Sequence, residues 1–215
     1  MKTKNIITIL ALILCSISFA QKAKEFEGKI SYLHEVKAIN PQYDIEQDYG
    51  YMGRSSEYTY KKGKYKWVNA NAYIQEEIFD NSKALIFWKF SETDTITKLS
   101  VSEPNEKVID YKIMKEGDEV LGKKCDVLII KAGTDKNTWE RRYSFSTETQ
   151  IDPASFGNCK SNSTDAIYAI TNALPLRIVL IFKERKVTYT ATKVEKSTVS
   201  DKVFEFAAGT KFKEQ

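Results

Sequence analysis

Apolar and polar side chains alternate along most of the chain with a period of two residues. In the segment 26–32, for example, Ile30 and Tyr32 fall on one face while Lys29 and Ser31 fall on the other. Successive side chains of a strand point to opposite faces of a sheet, so this pattern predicts a strand with one buried and one solvated face. The same alternation predicts strands in four further segments, 57–61, 64–67, 109–113 and 139–145.

Three other runs are apolar on both faces and predict strands that are covered on both sides, namely 84–88, 127–130 and 178–182. Turn sequences rich in Gly, Pro and Asn separate the runs at the regular spacing that is typical of a β-sandwich or barrel. We therefore expect a mainly β fold of about eleven antiparallel strands. The segment 39–50 and the residues after Gly209 are expected to be mobile loops.

The stretch between residues 151 and 175 breaks the alternation and predicts helix. Pro153 suits the first turn of a short helix, and Gly157 suits the position after its end. A second helix is predicted over 165–173, where Pro175 would stop it. One or two short helices are therefore expected to cover one face of a curved sheet.

The segment 1–20 has the pattern of a cleaved export signal. Lys2 and Lys4 precede an apolar run, and the small residues Ser18 and Ala20 occupy the two positions that a signal peptidase reads. The apolar run is shorter than the ~20 residues that span a bilayer. Cleavage after Ala20 would place the protein in the periplasm or outside the cell, and an uncleaved membrane anchor is the alternative.

The remaining residues, 21–215, are expected to form a single domain without a membrane-spanning segment. Lipidation at Cys15 is not expected, because Leu14 stands where a lipidation signal needs a small residue. The formal net charge is +4, and it falls to +2 once Lys2 and Lys4 are removed. Because charges of both signs are interspersed, we expect no binding of nucleic acid. The protein is also expected to be a monomer.

Two cysteines, Cys125 and Cys159, remain after the signal is removed. Exported proteins meet an oxidising environment, so we expect these two residues to form a disulfide. Such a bond would contribute about 3 kcal/mol of stability in the chain-entropy model. Two separate buried thiols are the alternative.

The side chains that catalysis and metal binding usually need are scarce. His34 is the one histidine of the chain, which argues against a catalytic triad and against a zinc site. Neither a glycine-rich phosphate loop nor a nucleophile elbow occurs. We therefore expect no catalytic residue, no metal and no cofactor, although a hydrolase that acts through paired carboxylates stays open.

Apolar residues on the inner faces of the strands allow two interpretations. They can fill the interior themselves, or they can line a hydrophobic pocket beneath the predicted helices. Periodicity alone favours a filled core.

The segment 119–129, with the sequence EVLGKKCDVLI, resembles the V-x-G-K-K-C-x-x-L strand pair of small exported bacterial proteins of unknown function. These proteins are grouped with the LolA/LolB-like outer-membrane lipoprotein carrier superfamily. Loose motifs extend the resemblance over most of residues 21–215, in the segments 26–32, 139–145, 174–178 and 199–209.

The resemblance implies an incomplete antiparallel β-barrel of about eleven strands, with residues 152–173 as a lid over a hydrophobic cavity. It also implies a ligand of lipid or acyl-chain character, such as the acyl chain of a lipoprotein. A structural or protein-interaction module with a filled core is the alternative. The residues expected to line the cavity and bind the ligand are Tyr32, Tyr60, Trp67, Phe87, Ile129, Tyr143, Ile167 and Ile170.

Arg141 falls on the apolar side of its strand and resembles the buried arginine by which carriers tie the lid to the barrel. Under the carrier interpretation, Arg141→Leu is expected to change ligand affinity more than stability. A filled core predicts no effect on a ligand.

Mass spectrometry of the exported protein should find Gln21 at the amino terminus, because a signal peptidase cuts after a small residue such as Ala20. Ala20→Arg should block this cut, since arginine does not fit the peptidase site. An exported wild-type protein that keeps Met1 would contradict cleavage and support an uncleaved anchor.

Overall fold

One β-sheet dominates the residues that the structure describes. The computed structural model describes residues 25–215, so the predicted export signal over 1–20 lies outside the described residues. The sheet has 12 strands, and two short α-helices accompany it. The mainly β class predicted from the alternation is confirmed, with one strand more than the number expected.

The strands in chain order are β1 (Gly28–Ala38), β2 (Ser55–Lys61), β3 (Lys64–Asn69), β4 (Ile74–Asp80), β5 (Leu85–Phe90), β6 (Ile96–Ser100), β7 (Lys107–Val120), β8 (Lys123–Gly133), β9 (Thr138–Gln150), β10 (Ala173–Ile181), β11 (Arg185–Lys196) and β12 (Phe212–Glu214). The α-helices are α1 (Ile45–Met52) and α2 (Thr164–Thr171). Three 3₁₀ helices lie at Pro153–Phe156, Ser161–Ser163 and Asp201–Phe204.

The order of the strands leaves the sheet open. The order is β12-β6-β5-β4-β3-β2-β1-β11-β10-β9-β8-β7, so that β12 and β7 are the two ends and do not pair with each other. Only the β12–β6 pair is parallel among the described strands. Register shifts between Val108 and Asp110 and between Met114 and Asp118 interrupt the ladder that joins β7 to β8. The sheet is therefore mostly antiparallel and is not closed into a barrel. This agrees with the expected incomplete antiparallel barrel.

Residues 151–172, which connect β9 to β10, lie against one face of the sheet; we call this segment the lid and this face the inner face. The ring of Phe156 in the lid stacks on Tyr60 of β2 at 5.9 Å and on Phe79 of β4 at 5.5 Å between centroids. Tyr168 of α2 stacks on the same ring at 4.0 Å. The predicted helices therefore cover the sheet as expected, and aromatic packing holds them there.

Polar contacts fix the edge of the lid to the sheet. The Asn81 side chain, in the turn after β4, donates to the carbonyl of Ala154 and accepts from the amide of Asn158, both at 3.0 Å. The amide of Lys160 donates to the carbonyl of Val101 at 2.7 Å. These bonds satisfy backbone groups of an irregular segment that would otherwise be unpaired.

The outer face of β5 is covered by residues 199–206, which explains why this strand is apolar on both sides. Phe87 packs there in a cluster with Val199 and Phe204, while its neighbour Ile86 belongs to the inner core. Phe87 was expected to line the cavity, and this prediction is wrong because the side chain points to the outer face. A run that is apolar on both faces carries no alternation, so the sequence does not reveal which residue points inward.

Ile129 was also expected to point into the interior, and it lies on the outer face. It pairs with Lys112 and Arg142 on its two neighbouring strands. The adjacent residues Leu128 and Ile130 are fully buried on the inner face. As in β5, the uninterrupted apolar run hides the direction of each side chain.

Part of the segment 39–50, expected to be a mobile loop, begins the helix α1. The Asp44 side chain caps this helix by accepting from the amide of Glu46 at 3.0 Å. Residues after Gly209 form β12 instead of a loop. Neither element has the apolar periodicity by which sequence analysis finds helices and strands.

The predicted disulfide is absent, because Cys125 and Cys159 are separate buried thiols. An oxidising environment permits a disulfide only where the fold brings two sulfur atoms together. Cys125 lies on β8, and burial together with the Asp118 carboxylate raises the pKa of its thiol. Cys159 lies in the lid, where burial raises the pKa of its thiol to about 11. Both thiols are therefore held in the protonated, unreactive form.

A thiol reagent such as Ellman's reagent should therefore modify neither Cys125 nor Cys159 in the folded protein, and both after unfolding in denaturant. The melting temperature should be the same with and without a reductant, since no crosslink is present. A melting temperature that falls when a reductant is added would contradict the separate thiols and support the predicted disulfide.

Candidate ligand cavity

Two adjoining cavities lie on the inner face, away from the aromatic stack around Phe156. Cavity A has a volume of about 440 Å³ and cavity B a volume of about 300 Å³. The side chains of Trp67, Leu180, Phe182 and Tyr189 line both cavities and form a shared apolar wall. The interior is thus filled at one end and hollow at the other.

Three aromatic neighbours hold Trp67 in place within the shared wall. Its ring stacks on Tyr32 at 5.7 Å, and it meets Tyr58 at 5.3 Å and Tyr189 at 5.7 Å edge to face. The Tyr32 hydroxyl in turn donates to the carbonyl of Pro175 at 2.6 Å. Because these rings fix one another, the wall is formed before any ligand arrives.

A buried ion pair closes one side of cavity A and ties the lid to the sheet. Arg141 of β9 pairs with Glu106, and the two side chains are 9% and 1% exposed. Arg141 also donates to the carbonyl of Asn162 in the lid at 2.9 Å. Glu106 accepts from Trp139 Nε1 at 2.9 Å and from the Ser163 hydroxyl at 2.7 Å. The two charges therefore compensate each other, as buried charges must.

Helix α1 contributes to the wall of cavity B together with a second ion pair. Asp48 of α1 lies 3.0 Å from Arg185 Nε, at the start of β11. The Arg185 guanidinium also lies over the ring of Phe182 at 4.4 Å and near the ring of Tyr43 at 5.2 Å. This pair holds the helix against the β10–β11 hairpin and so sets the width of the cavity.

Glu77 of β4 is the other acidic residue in the wall of cavity B. Its carboxylate accepts from the hydroxyl of Tyr65, and from Trp88 Nε1 at 2.6 Å. Burial, followed by this carboxylate, raises the pKa of the Tyr65 hydroxyl well above its ordinary value. Because both donors are uncharged, they orient the Glu77 carboxylate but supply no positive charge to compensate it.

His34 lies in the core behind the shared wall and has a structural role. Its Nδ1 lies 3.0 Å from the carbonyl of Gly53 and its Nε2 lies 2.8 Å from the Ser56 hydroxyl. Its ring also meets Tyr189 edge to face at 4.6 Å. Burial lowers the pKa of the imidazole, so the neutral form is favoured.

The structure brings most of the residues predicted to bind a ligand to the inner face, but it divides them. Trp67, Arg141 and Tyr143 line cavity A. Tyr32 and Tyr60 are buried in the core, where Tyr60 stacks on Phe156. The two remaining residues of the predicted lid, Ile167 and Ile170, pack in the cluster that contains Tyr143.

Arg141 lies where the resemblance implies, as a buried tie between the sheet and the lid. The expectation that Arg141→Leu changes ligand affinity more than stability does not fit this geometry. The substitution would leave Glu106 buried without its counter-charge, which is strongly destabilising in its own right.

Sequence analysis missed several residues of the cavities, and for Tyr189 a signal was present. Tyr189 alternates with threonines in β11, so counting alternate positions from Val187 would have placed it inside, whereas Leu180 lies in a run that is apolar on both faces. Glu106 follows a turn sequence and has no local pattern. Its partnership with Arg141 depends on a contact that bridges 35 positions of the chain.

The described part of the chain adds neither a metal cluster nor a membrane-spanning helix to these cavities. Within residues 25–215, no group of three or more His, Cys, Asp or Glu side chains is arranged to hold a metal ion. No helix in the same part of the chain is both long enough and apolar enough to cross a membrane.

Comparisons with known proteins do not identify a family. No protein-family model matches the sequence, and no curated protein matches it significantly. The solved structure of PNGF-II resembles the chain with a TM-score of 0.46 at 14% identity, covering 87% of this chain and 31% of that one. The chain thus spans about a third of the PNGF-II chain that it matches.

Two further solved structures resemble most of the chain. An uncharacterized conserved protein from Thermus thermophilus has a TM-score of 0.40 at 5% identity, covering 88% of this chain and 91% of that one. The Mycobacterium tuberculosis lipoprotein LppX has a TM-score of 0.36 at 9% identity, covering 90% and 98%. Likenesses this remote identify neither a family nor a function, so membership of the LolA/LolB-like superfamily stays a prediction.

Glu106→Gln should lower the free energy of unfolding by about 3–5 kcal/mol, because it leaves the buried Arg141 guanidinium without a counter-charge. The double variant Glu106→Leu/Arg141→Met should recover most of this loss, since it removes both charges. Urea unfolding of the three proteins measures the effect.

Glu116→Gln is the matched control, because Glu116 forms an exposed ion pair with Lys124. It should change the free energy of unfolding by less than about 1 kcal/mol. Equal losses in Glu106→Gln and Glu116→Gln would show that the buried pair does not hold the lid.

Proposed function

We propose that the protein is exported, has no catalytic activity and binds a hydrophobic ligand, a lipid or an acyl chain, in cavities A and B. The observation that carries this proposal is the shared wall of Trp67, Leu180, Phe182 and Tyr189, which is apolar and left unfilled by the lid. The export signal predicted over residues 1–20 supports the location.

The size of the cavities suits a small amphiphile. Ligand pockets in proteins have volumes of about 300–1,000 Å³ and are lined mainly by apolar and aromatic side chains. Cavity A at about 440 Å³ and cavity B at about 300 Å³ both reach this range. Each methylene group that leaves water contributes about 0.8 kcal/mol, so a chain of several carbons would bind with useful affinity.

The polar groups of the cavities favour binding over catalysis. Glu106 and Asp48 are each engaged with an arginine, and Glu77 is engaged by two hydrogen-bond donors. The His34 imidazole contacts the carbonyl of Gly53 and the hydroxyl of Ser56, but His34 and Ser56 are both buried and neither lines cavity A or cavity B. Each of these groups therefore has a structural partner, which favours a role in holding the walls of the cavities over a role as general base or nucleophile.

A protein-interaction module with a self-filled core is the second candidate function. The stack of Phe156 on Tyr60, Phe79 and Tyr168 favours it, because this end of the interior has no room for a ligand. The two candidates share that filled end and differ in whether the hollow end takes up a small molecule.

Leu180→Trp should weaken binding of the uncharged dye 1-N-phenylnaphthylamine by at least about tenfold, because an indole on the shared wall would project into the space of the cavities. Fluorescence titration of the purified protein measures the affinity. Val179→Trp is the matched control, since Val179 lies on the opposite face of β10 next to Arg142 and Thr188.

Protein purified from its own host should also release a stoichiometric hydrophobic compound into organic solvent, detectable by mass spectrometry. If neither the dye nor a co-purified compound binds, the ligand-binding proposal is wrong and the interaction module is favoured. Equal effects of Leu180→Trp and Val179→Trp would place the binding site elsewhere.

A further inference from the structure

The charges in the wall of cavity B point to the kind of head group that a ligand carries. We propose that cavity B selects amphiphiles with a cationic, ammonium-type head group over those with an anionic head group, and that Glu77 holds the cation. This inference rests on the proposed function, because the apolar wall must accept the rest of the molecule.

Both arginines of the cavities are already neutralised and do not offer an anion site. Arg141 is paired with Glu106 and bonded to the carbonyl of Asn162. Arg185 is paired with Asp48 and lies over the ring of Phe182. To bind an arginine, an anionic head group would have to break one of these pairs. The released carboxylate would then lie beside the negative charge of the head group.

Glu77, by contrast, has no basic partner within the described part of the chain. Its two hydrogen bonds come from neutral groups, the Tyr65 hydroxyl and Trp88 Nε1. It stands directly opposite Trp67 in the β3–β4 ladder, and both residues line cavity B. A fixed carboxylate that lines an apolar cavity and lacks a counter-charge is a site for a cation.

The aromatic side chains of cavity B strengthen the preference. Tyr51, Trp67, Phe182 and Tyr189 line the same space as Glu77. Aromatic faces attract cations through their quadrupoles, and alkylammonium groups are bound by such faces in other proteins. A carboxylate or phosphate head group gains nothing from these faces and is repelled by Glu77.

The net charge of the protein makes the preference a sharp test. Once Lys2 and Lys4 are removed with the predicted signal, the formal net charge is +2, so a non-specific electrostatic effect would favour anions. Stronger binding of a cation must therefore come from local groups in the cavity.

The experiment compares three ligands that share one ten-carbon chain and differ in head group: decyltrimethylammonium, decanol and decanoate. Each displaces 1-N-phenylnaphthylamine from the wild-type protein below its aggregation concentration. Decyltrimethylammonium should bind at least about tenfold more tightly than decanoate, with decanol between them.

Glu77→Gln should remove this preference while leaving the affinity for decanol within about twofold, which shows that the cavity is intact. Glu76→Gln is the matched control: Glu76 is the next residue of β4, faces outward, and pairs with Lys66 at 2.8 Å. It removes the same charge from the same strand and should leave the preference unchanged.

The outcomes separate the inference from the proposed function. Failure of the dye itself to bind overturns ligand binding, and failure of all three ligands to displace a bound dye overturns the inference. Decanoate binding as well as or better than decyltrimethylammonium overturns the inference while ligand binding stands. A preference for the cation that survives Glu77→Gln, or that Glu76→Gln removes equally, also overturns it. If Glu77→Gln no longer binds decanol, the wild-type affinities test the inference alone. The order decyltrimethylammonium, decanol, decanoate supports it, and any other order overturns it.

Discussion

The arrangement of this protein depends on the insertion of one aromatic ring, Phe156, between the lid and the sheet. Its contacts with Tyr60, Phe79 and Tyr168 join three elements that are distant in sequence, β2, β4 and α2. Full burial of a phenylalanine contributes about 1.5–3 kcal/mol, and aromatic pairs add to this. Because the ring sits at one end of the inner face, the lid is held there and the other end stays hollow.

Polar contacts also hold the lid and α1 in position on the sheet. Arg141 and Glu106 fix the lid beside cavity A, while Asp48 and Arg185 fix α1 beside cavity B. Hydrophobic burial has no direction, so on its own it would draw the covering elements into the remaining space. Charged and hydrogen-bonded anchors have preferred distances and angles, so they hold the lid and α1 at a separation that leaves room between them.

The alternation in β3 and β9 correctly predicted which side chains point inward, whereas in β7 it did not, since Ile109, Tyr111 and Ile113 are exposed. The alternation around Trp67 and Tyr143 predicted both the strand and the inward side chain, and both residues line cavity A. Phe87 lies in a run that is apolar on both faces, which is why it was assigned to the wrong side. Contacts between distant residues, such as that of Glu106 with Arg141, form only after the sheet has assembled, so no local pattern predicts them. The inward position of Arg141 was the one long-range feature that parity and resemblance could suggest.

The open sheet leaves two strand edges, and the chain treats them differently. Along β6, the three residues of β12 pair in parallel and take up backbone groups of that edge. Along β7, two register shifts bend the strand, and Asp110 bonds the Tyr111 amide with its own side chain at 2.8 Å. Unpaired edges invite other chains to add strands, and bulges, charges and short guard strands are the usual defences. The β6 edge is therefore protected by β12, whereas β7, which exposes Tyr111, Ile113 and Met114, is the edge at which another chain is expected to add a strand.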